Sequence, residues 1–101
     1  MTNINRLTDT RAVLAAVAEC DRVGRATFLE RNGFKPLRHY ALIVDGRQYD
    51  SKAIAGVAYG IQFPDEGVPH DFSGGITPGS AARCLSDLGF EVVDVRTGDR
   101  I

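Results

Sequence analysis

Arg47-Gln48-Tyr49-Asp50-Ser51-Lys52-Ala53-Ile54-Ala55-Gly56 reads as the end of a strand running directly into the start of a helix. Asp50 or Ser51 is placed to serve as N-cap, accepting hydrogen bonds from the first free N–H groups of the helix. Lys52 goes against the usual rule, because a cation in the first turn opposes the helix macrodipole. Free N–H groups, the Lys52 ammonium and the nearby Arg47 guanidinium together form a candidate anion seat. The plainer reading is a capped helix whose lysine reaches back to Asp50 or into water.

Working outward, His39-Tyr40-Ala41-Leu42-Ile43-Val44 is β-branched and aromatic enough for a strand. Asp45-Gly46 is a strong two-residue hairpin signal and returns the chain through Arg47-Gln48-Tyr49. Arg47 and Tyr49, two residues apart, share one face of the return strand. An inward Tyr49 is core; an outward one is an exposed aromatic beside a base. Downstream, the helix is expected from about Lys52 to Tyr59, with Gly60 as its stop. Ile54, Val57 and Ala58 form its apolar stripe, and Ala53, Ala55 and Gly56 keep it slim.

The flanking regions supply the other elements. Met1 to Leu7 reads as a frayed lead-in. Thr8 or Thr10 caps a helix reaching Arg22, with Val13, Val17 and Cys20 on one stripe. Gly24 breaks it, and a second helix over 25–32 buries Phe28 and Leu29. Gly33 fits the left-handed C′ position, Phe34 the hydrophobic contact after it, and Pro36 forbids continuation. Residues 61–76 are irregular, rich in Pro, Gly and acids, with Phe72 expected to anchor the loop and His70 expected to be solvated. Thr77 with Pro78 at N1 opens a fourth helix that Gly89 closes. Residues 90–95 alternate like a strand. The expected architecture is α+β: four helices and a small antiparallel sheet built on the hairpin at about 39–49, joined by the C-terminal strand at about 90–95. Residues 1–95 form one domain, and 96–101 form a tail or the start of a linker.

Composition narrows the function classes. A chain of 101 residues fits one small domain. No apolar run is long enough for a membrane span, and the first residues lack the apolar core of a signal peptide, so a cytoplasmic location is expected. Cys20 and Cys84 are far apart in helical apolar patterns, which suggests reduced, buried thiols. The net charge of −1 gives no global pull towards nucleic acid. Yet between Arg22 and Lys52 seven bases (Arg22, Arg25, Arg31, Lys35, Arg38, Arg47, Lys52) face three acids (Glu30, Asp45, Asp50). Such asymmetry points to a basic face.

Phosphate-loop, dinucleotide and zinc-protease motifs are absent, and no serine or cysteine sits in a nucleophile motif. No cofactor, metal site or catalytic residue is therefore expected. The one catalytic alternative is a metal-dependent cluster of Asp45, Asp50 and Asp71, of which two have simpler roles in a turn and a cap.

The series Gly24, Phe28-Leu29, Gly33-Phe34, Tyr40, Asp45-Gly46-Arg47, Tyr49-Asp50-Ser51-Lys52-Ala53-Ile54, Gly56, Tyr59-Gly60, Phe72-Ser73-Gly74-Gly75 and Leu88-Gly89-Phe90-Glu91-Val92 resembles the N-terminal head domain of ScoMcrA-like proteins. These are modification-dependent, type IV HNH restriction endonucleases. The likeness spans residues 8–95, and its most specific parts are Tyr-Asp-Ser-Lys-Ala-Ile and Phe-Ser-Gly-Gly. It implies a non-catalytic reader of double-stranded DNA carrying modified cytosine, such as 5-methylcytosine. Cutting would belong to an HNH domain elsewhere in the parent nuclease, whose other domains are implied partners. On this reading Arg47, Ser51, Lys52 and Arg38 hold backbone phosphates. Tyr49, Tyr40 or Tyr59 stacks on the base or touches its methyl group. Ser73, Gly74 and Gly75 approach the duplex through backbone N–H groups. The alternative is a protein-interaction or dimerisation module of a multidomain nuclease, which would carry an exposed apolar patch.

Overall fold

The computed structural model describes residues 2–36 and 39–101. Its secondary structure is α+β, with helices α1 (Thr10–Val23), α2 (Arg25–Asn32), α3 (Ser51–Gln62) and α4 (Ala81–Asp87) and strands β1 (Tyr40–Val44), β2 (Arg47–Asp50) and β3 (Glu91–Asp94). The sheet is antiparallel throughout, in the order β2-β1-β3. Val44 pairs with Arg47 across a two-residue turn in which Asp45 (φ 51°) and Gly46 (φ 76°) are both left-handed. That is the twist a type I′ hairpin requires. The late strand pairs with the other edge of β1, so that Tyr49, Leu42 and Val92 lie side by side as a buried row.

Helix α3 is the centre of the fold. Every residue from Ala53 to Tyr59 is buried, so the expected stripe of Ile54, Val57 and Ala58 is in fact a whole circumference. A helix apolar all round is stable only when covered on all sides. Here α1 packs along it, with α2, α4 and the strands closing the remaining faces. The helix also runs through Gly60 to Gln62 rather than stopping there. A Cβ on Gly60 would lie 3.0 Å from Val68 Cγ2 and 3.1 Å from the Gly67–Val68 backbone. Glycine is used here for close approach, not for termination.

Other boundaries also moved for local reasons. The lead-in is not frayed: Ile4 and Leu7, three residues apart around a single 3-10 turn, are core. Asp9, not Thr8 or Thr10, caps α1 by accepting the Arg11 N–H at 2.9 Å. Thr77-Pro78-Gly79-Ser80 is a turn closed by the Ser80 N–H on the Thr77 carbonyl at 3.0 Å, with Gly79 at φ 87°. Proline and glycine there serve a turn, and α4 starts later with Ser80 in the N-cap position. Gly33 and Gly89 both close their helices as expected: Phe34 N–H reaches the Leu29 carbonyl at 3.0 Å and Phe90 N–H the Leu85 carbonyl at 3.1 Å. Residues 96–101 fold back on β3, Ile101 N–H donating to the Val92 carbonyl at 3.0 Å.

Both cysteines are reduced and buried. Cys84 directs its thiol at the Ile4 and Leu7 carbonyls (3.5 and 3.6 Å), and burial pushes its pKa up from 9.0 to about 11, with Asp87 adding to the effect. The unfolded chain therefore ionises this thiol first. Its contribution to stability is complete below pH 9 and falls away as pH rises towards 11. Denaturation midpoints should drop across that window, and Cys84→Ala should flatten the drop, leaving the part due to Cys20, whose pKa burial also raises.

Candidate nucleic-acid interface

At the β2–α3 joint the polar side chains are committed to tertiary partners. Asp50 occupies the N-cap position of α3 but makes no side-chain capping bond. Its buried carboxylate instead accepts a two-pronged contact from Arg25, Nε to Oδ1 at 2.7 Å and Nη2 to Oδ2 at 2.8 Å. This geometry matches the planar guanidinium fork, and the carboxylate holds the Arg25 pKa above its ordinary value. The Ser51 hydroxyl donates to the Tyr40 carbonyl at 2.8 Å, tying the helix start to β1. Neither side chain caps the helix as the sequence pattern suggested.

Lys52 turns inward along the loop that carries Phe72. Its ammonium lies 5.4 Å from the Phe72 ring centroid, a cation–π distance. Its stem runs beside Gly74, where a Cβ would meet Lys52 Cβ and Cδ at 3.4 Å. Phe72 is buried and anchors its loop as expected. The loop is further pinned by α4, because the Ser73 carbonyl accepts the Ala81 N–H (2.8 Å) and the Gly75 carbonyl accepts the Arg83 N–H (3.2 Å). These bonds satisfy donors that a helix start otherwise leaves open. Gly75 N–H donates to the Ser73 hydroxyl at 3.2 Å, so that donor is engaged within the loop.

These pieces surround a cavity of about 600 Å³. Four stretches line it among the described residues: Gly33 to Pro36, His39 with Tyr40, Asp50 to Lys52, and His70 with Ser73 to Gly75. Of the sequence-predicted residues, the cavity collects Ser51, Lys52, Tyr40, Ser73, Gly74 and Gly75. It adds Phe34, Lys35, Pro36, His39 and His70, which the sequence reading did not place in a site. His70 is not simply solvated. Its Nε2 donates to the Asn32 carbonyl at 2.6 Å and its ring packs against Phe34 at 4.8 Å. Because a carbonyl only accepts, that nitrogen carries the proton. The one available signal was Lys35-Pro36, a base and a rigid residue directly after a helix stop.

The other candidates lie elsewhere. Arg47 borders a separate cleft of about 230 Å³ with Asp21, Arg25 and Tyr49, its Nη1 being 3.9 Å from Asp21 Oδ1. It does not join Lys52 in one anion seat. Tyr49 points inward and donates its hydroxyl to Asp21 at 2.6 Å, an interaction that raises the phenol pKa. Tyr59 is buried, and burial raises its pKa first. It donates to Glu66 at 2.8 Å and accepts from Arg6 at 2.9 Å. In this conformation neither ring has a face for a base, whereas half-buried Tyr40 opens onto the cavity. Arg38 lies outside the described residues. The three carboxylates weighed for a metal cluster sit apart: Asp45 in the hairpin turn, Asp50 on Arg25, and Asp71 bonded to Thr2, which lowers its pKa.

Ion pairing sharpens the charge pattern. Arg22 pairs with Glu19, Arg25 with Asp50, and Arg47 faces Asp21. Among the described residues Arg31, Lys35, Lys52 and Arg100 form no ion pair, and of these the two lysines line the cavity. No described helix is long and apolar enough to cross a membrane.

A family model described as "ScoMcrA-like, N-terminal head domain" matches residues 5–94. The chain belongs to this family. It is thus a head domain of the kind found in modification-dependent restriction enzymes. Comparison with curated proteins and with solved structures gave no match. The two most specific motifs of the ScoMcrA-like head domain meet at the cavity, Lys52 of the first lying against Phe72 and Gly74 of the second.

Gly56 sets the position of the Phe34 wall, since a Cβ there would fall 2.5 Å from Phe34 Cζ. Gly56→Ala should cost about 1–3 kcal/mol by overpacking. Thermal denaturation should show this as a Tm lower by roughly 4–8 °C per kcal/mol. An unchanged Tm would mean that the ring moves aside freely.

Proposed function

We propose that this head domain is the non-catalytic DNA-reading module of a type IV, modification-dependent restriction enzyme. Its target is double-stranded DNA carrying modified cytosine, with 5-methylcytosine the first candidate. The observation that carries the reading is the coincidence, at one concave site, of two lysines without ion pairs and several aromatic rings. Lysines supply affinity through backbone phosphates and carry no sequence information. Aromatic and apolar groups are what distinguish a methylated base from an unmethylated one.

The whole-chain charge of −1 means that attraction to DNA has to be local. It also favours a modest affinity for unmodified DNA, which suits a reader that must ignore most of the duplex. Arg25 pairs with Asp50, and among the described residues Lys35 and Lys52 add positive potential at the cavity.

The test is binding of one short duplex, unmethylated or carrying 5-methylcytosine, at several salt concentrations. Tighter binding of the methylated duplex is expected. Lys52→Ala should weaken both duplexes alike and reduce the salt slope by about 1. Absence of binding to either duplex at low salt would overturn the reading.

A further inference from the structure

Resting on that DNA-reading role, we infer that the cavity receives a single base swung out of the duplex, and that Tyr40 and His39 form the wall on which this base stacks. Three observations converge on it.

The first is shape. Reading a base in the major groove requires an element that projects into the groove. The first turn of α3 does the opposite: Asp50 and Ser51 are 4% and 2% exposed and line a recess. A recessed helix start cannot enter a groove, so the base has to come to it. The volume suits such a guest, because about 600 Å³ lies inside the range of roughly 300–1,000 Å³ typical of sites for small molecules.

The second is the lining. His39 and Tyr40 stand at 6.2 Å in an edge-to-face arrangement, Phe34 packs against His70 at 4.8 Å, and all four rings line the cavity. Every base has a π-face, and aromatic rings replace the stacking that an extruded base gives up. Phe34 is held by Gly56 and Phe72, and Tyr40 has Arg96 5.8 Å from its ring centroid. Both rings therefore have fixed neighbours.

The third is charge. Lys52 folds along Gly74 towards the Phe72 ring instead of projecting away from the surface. Lys35, from a separate stretch of chain, lines the same recess. The phosphates on either side of an extruded nucleotide must follow it part-way, and paired cations at the recess would meet them there. A flat phosphate-tracking surface would instead spread its cations along a line.

The experiment uses the whole chain and duplexes with one 5-methylcytosine. In one set 2-aminopurine sits next to the modified base and reports, by a rise in fluorescence, the departure of its stacking neighbour. In another the guanine opposite is replaced by an abasic site, which lowers the cost of extrusion. The expected result is a fluorescence rise on binding and affinity for the abasic duplex tighter by on the order of tenfold. His39→Ala and Tyr40→Leu, shown to be folded by thermal denaturation, should each lose affinity for the methylated duplex, on the order of tenfold for Tyr40→Leu. Both should also diminish the fluorescence rise. Methyl-dependent binding with no fluorescence rise and no gain from the abasic site would overturn this inference while leaving the DNA-reading role intact. A rise that persists unchanged in both variants would also overturn it, placing the extruded base elsewhere. Failure to bind any duplex would remove the reading role itself, and this inference with it.

Discussion

Burial of α3 on every side is the constraint on which the rest of this head domain depends. A helix with no polar face has to be enclosed, and a chain of 101 residues has few elements with which to enclose it. Small residues allow the enclosing elements to come close. Ala53, Ala55 and Ala58 are buried against their neighbours, while Gly56 admits the Phe34 ring and Gly60 admits the 67–68 backbone. Fully burying a side chain such as Ile54 is worth about 1.5–3 kcal/mol, so the stability of the domain is concentrated around this one helix.

Enclosure makes the ends of α3 the places where polar groups have to be reconciled with the interior. At the C-terminal end Tyr59 is buried but keeps its hydroxyl between Glu66 and Arg6. At the N-terminal end Asp50 is matched by the Arg25 fork and Ser51 by the Tyr40 carbonyl. No described buried side-chain polar atom lacks a hydrogen-bond partner, as expected where an unmet group would cost about 1–3 kcal/mol. The consequence for function is electrostatic. Arg25 pairs with Asp50, and among the described residues the lysines that line the cavity, Lys35 and Lys52, form no ion pair.

Much of the outline was legible because its causes are local. Asp45-Gly46 dictated the hairpin through backbone sterics, and Gly33-Phe34 and Leu88-Gly89-Phe90 dictated two helix ends in the same way. Lys52 and the Ser73-Gly74-Gly75 loop were marked out by their position and by the family resemblance. The readings that shifted had local signals with a second use. Pro78 and Gly79 serve a type of turn rather than a helix start, and Gly60 serves close approach rather than termination. Ile4 and Leu7 carried an apolar spacing too short to stand out beside the polar residues around them.

What no local pattern contained was the assembly of the site. Phe34-Lys35, His39-Tyr40, Lys52 and the 70–75 loop are separate stretches of chain, and their meeting does not follow from any one of them. Arg47 and Tyr49, next to the decisive joint in sequence, were sent to the other side by the register of β2 and by the Asp21 carboxylate. The sequence by itself determined the elements, the hairpin and the family, because backbone dihedral preferences and side-chain periodicity act over a few residues. Only the tertiary structure decided which described cations stay outside ion pairs and which rings keep an open face, because pairing and burial are settled between elements that meet only after folding.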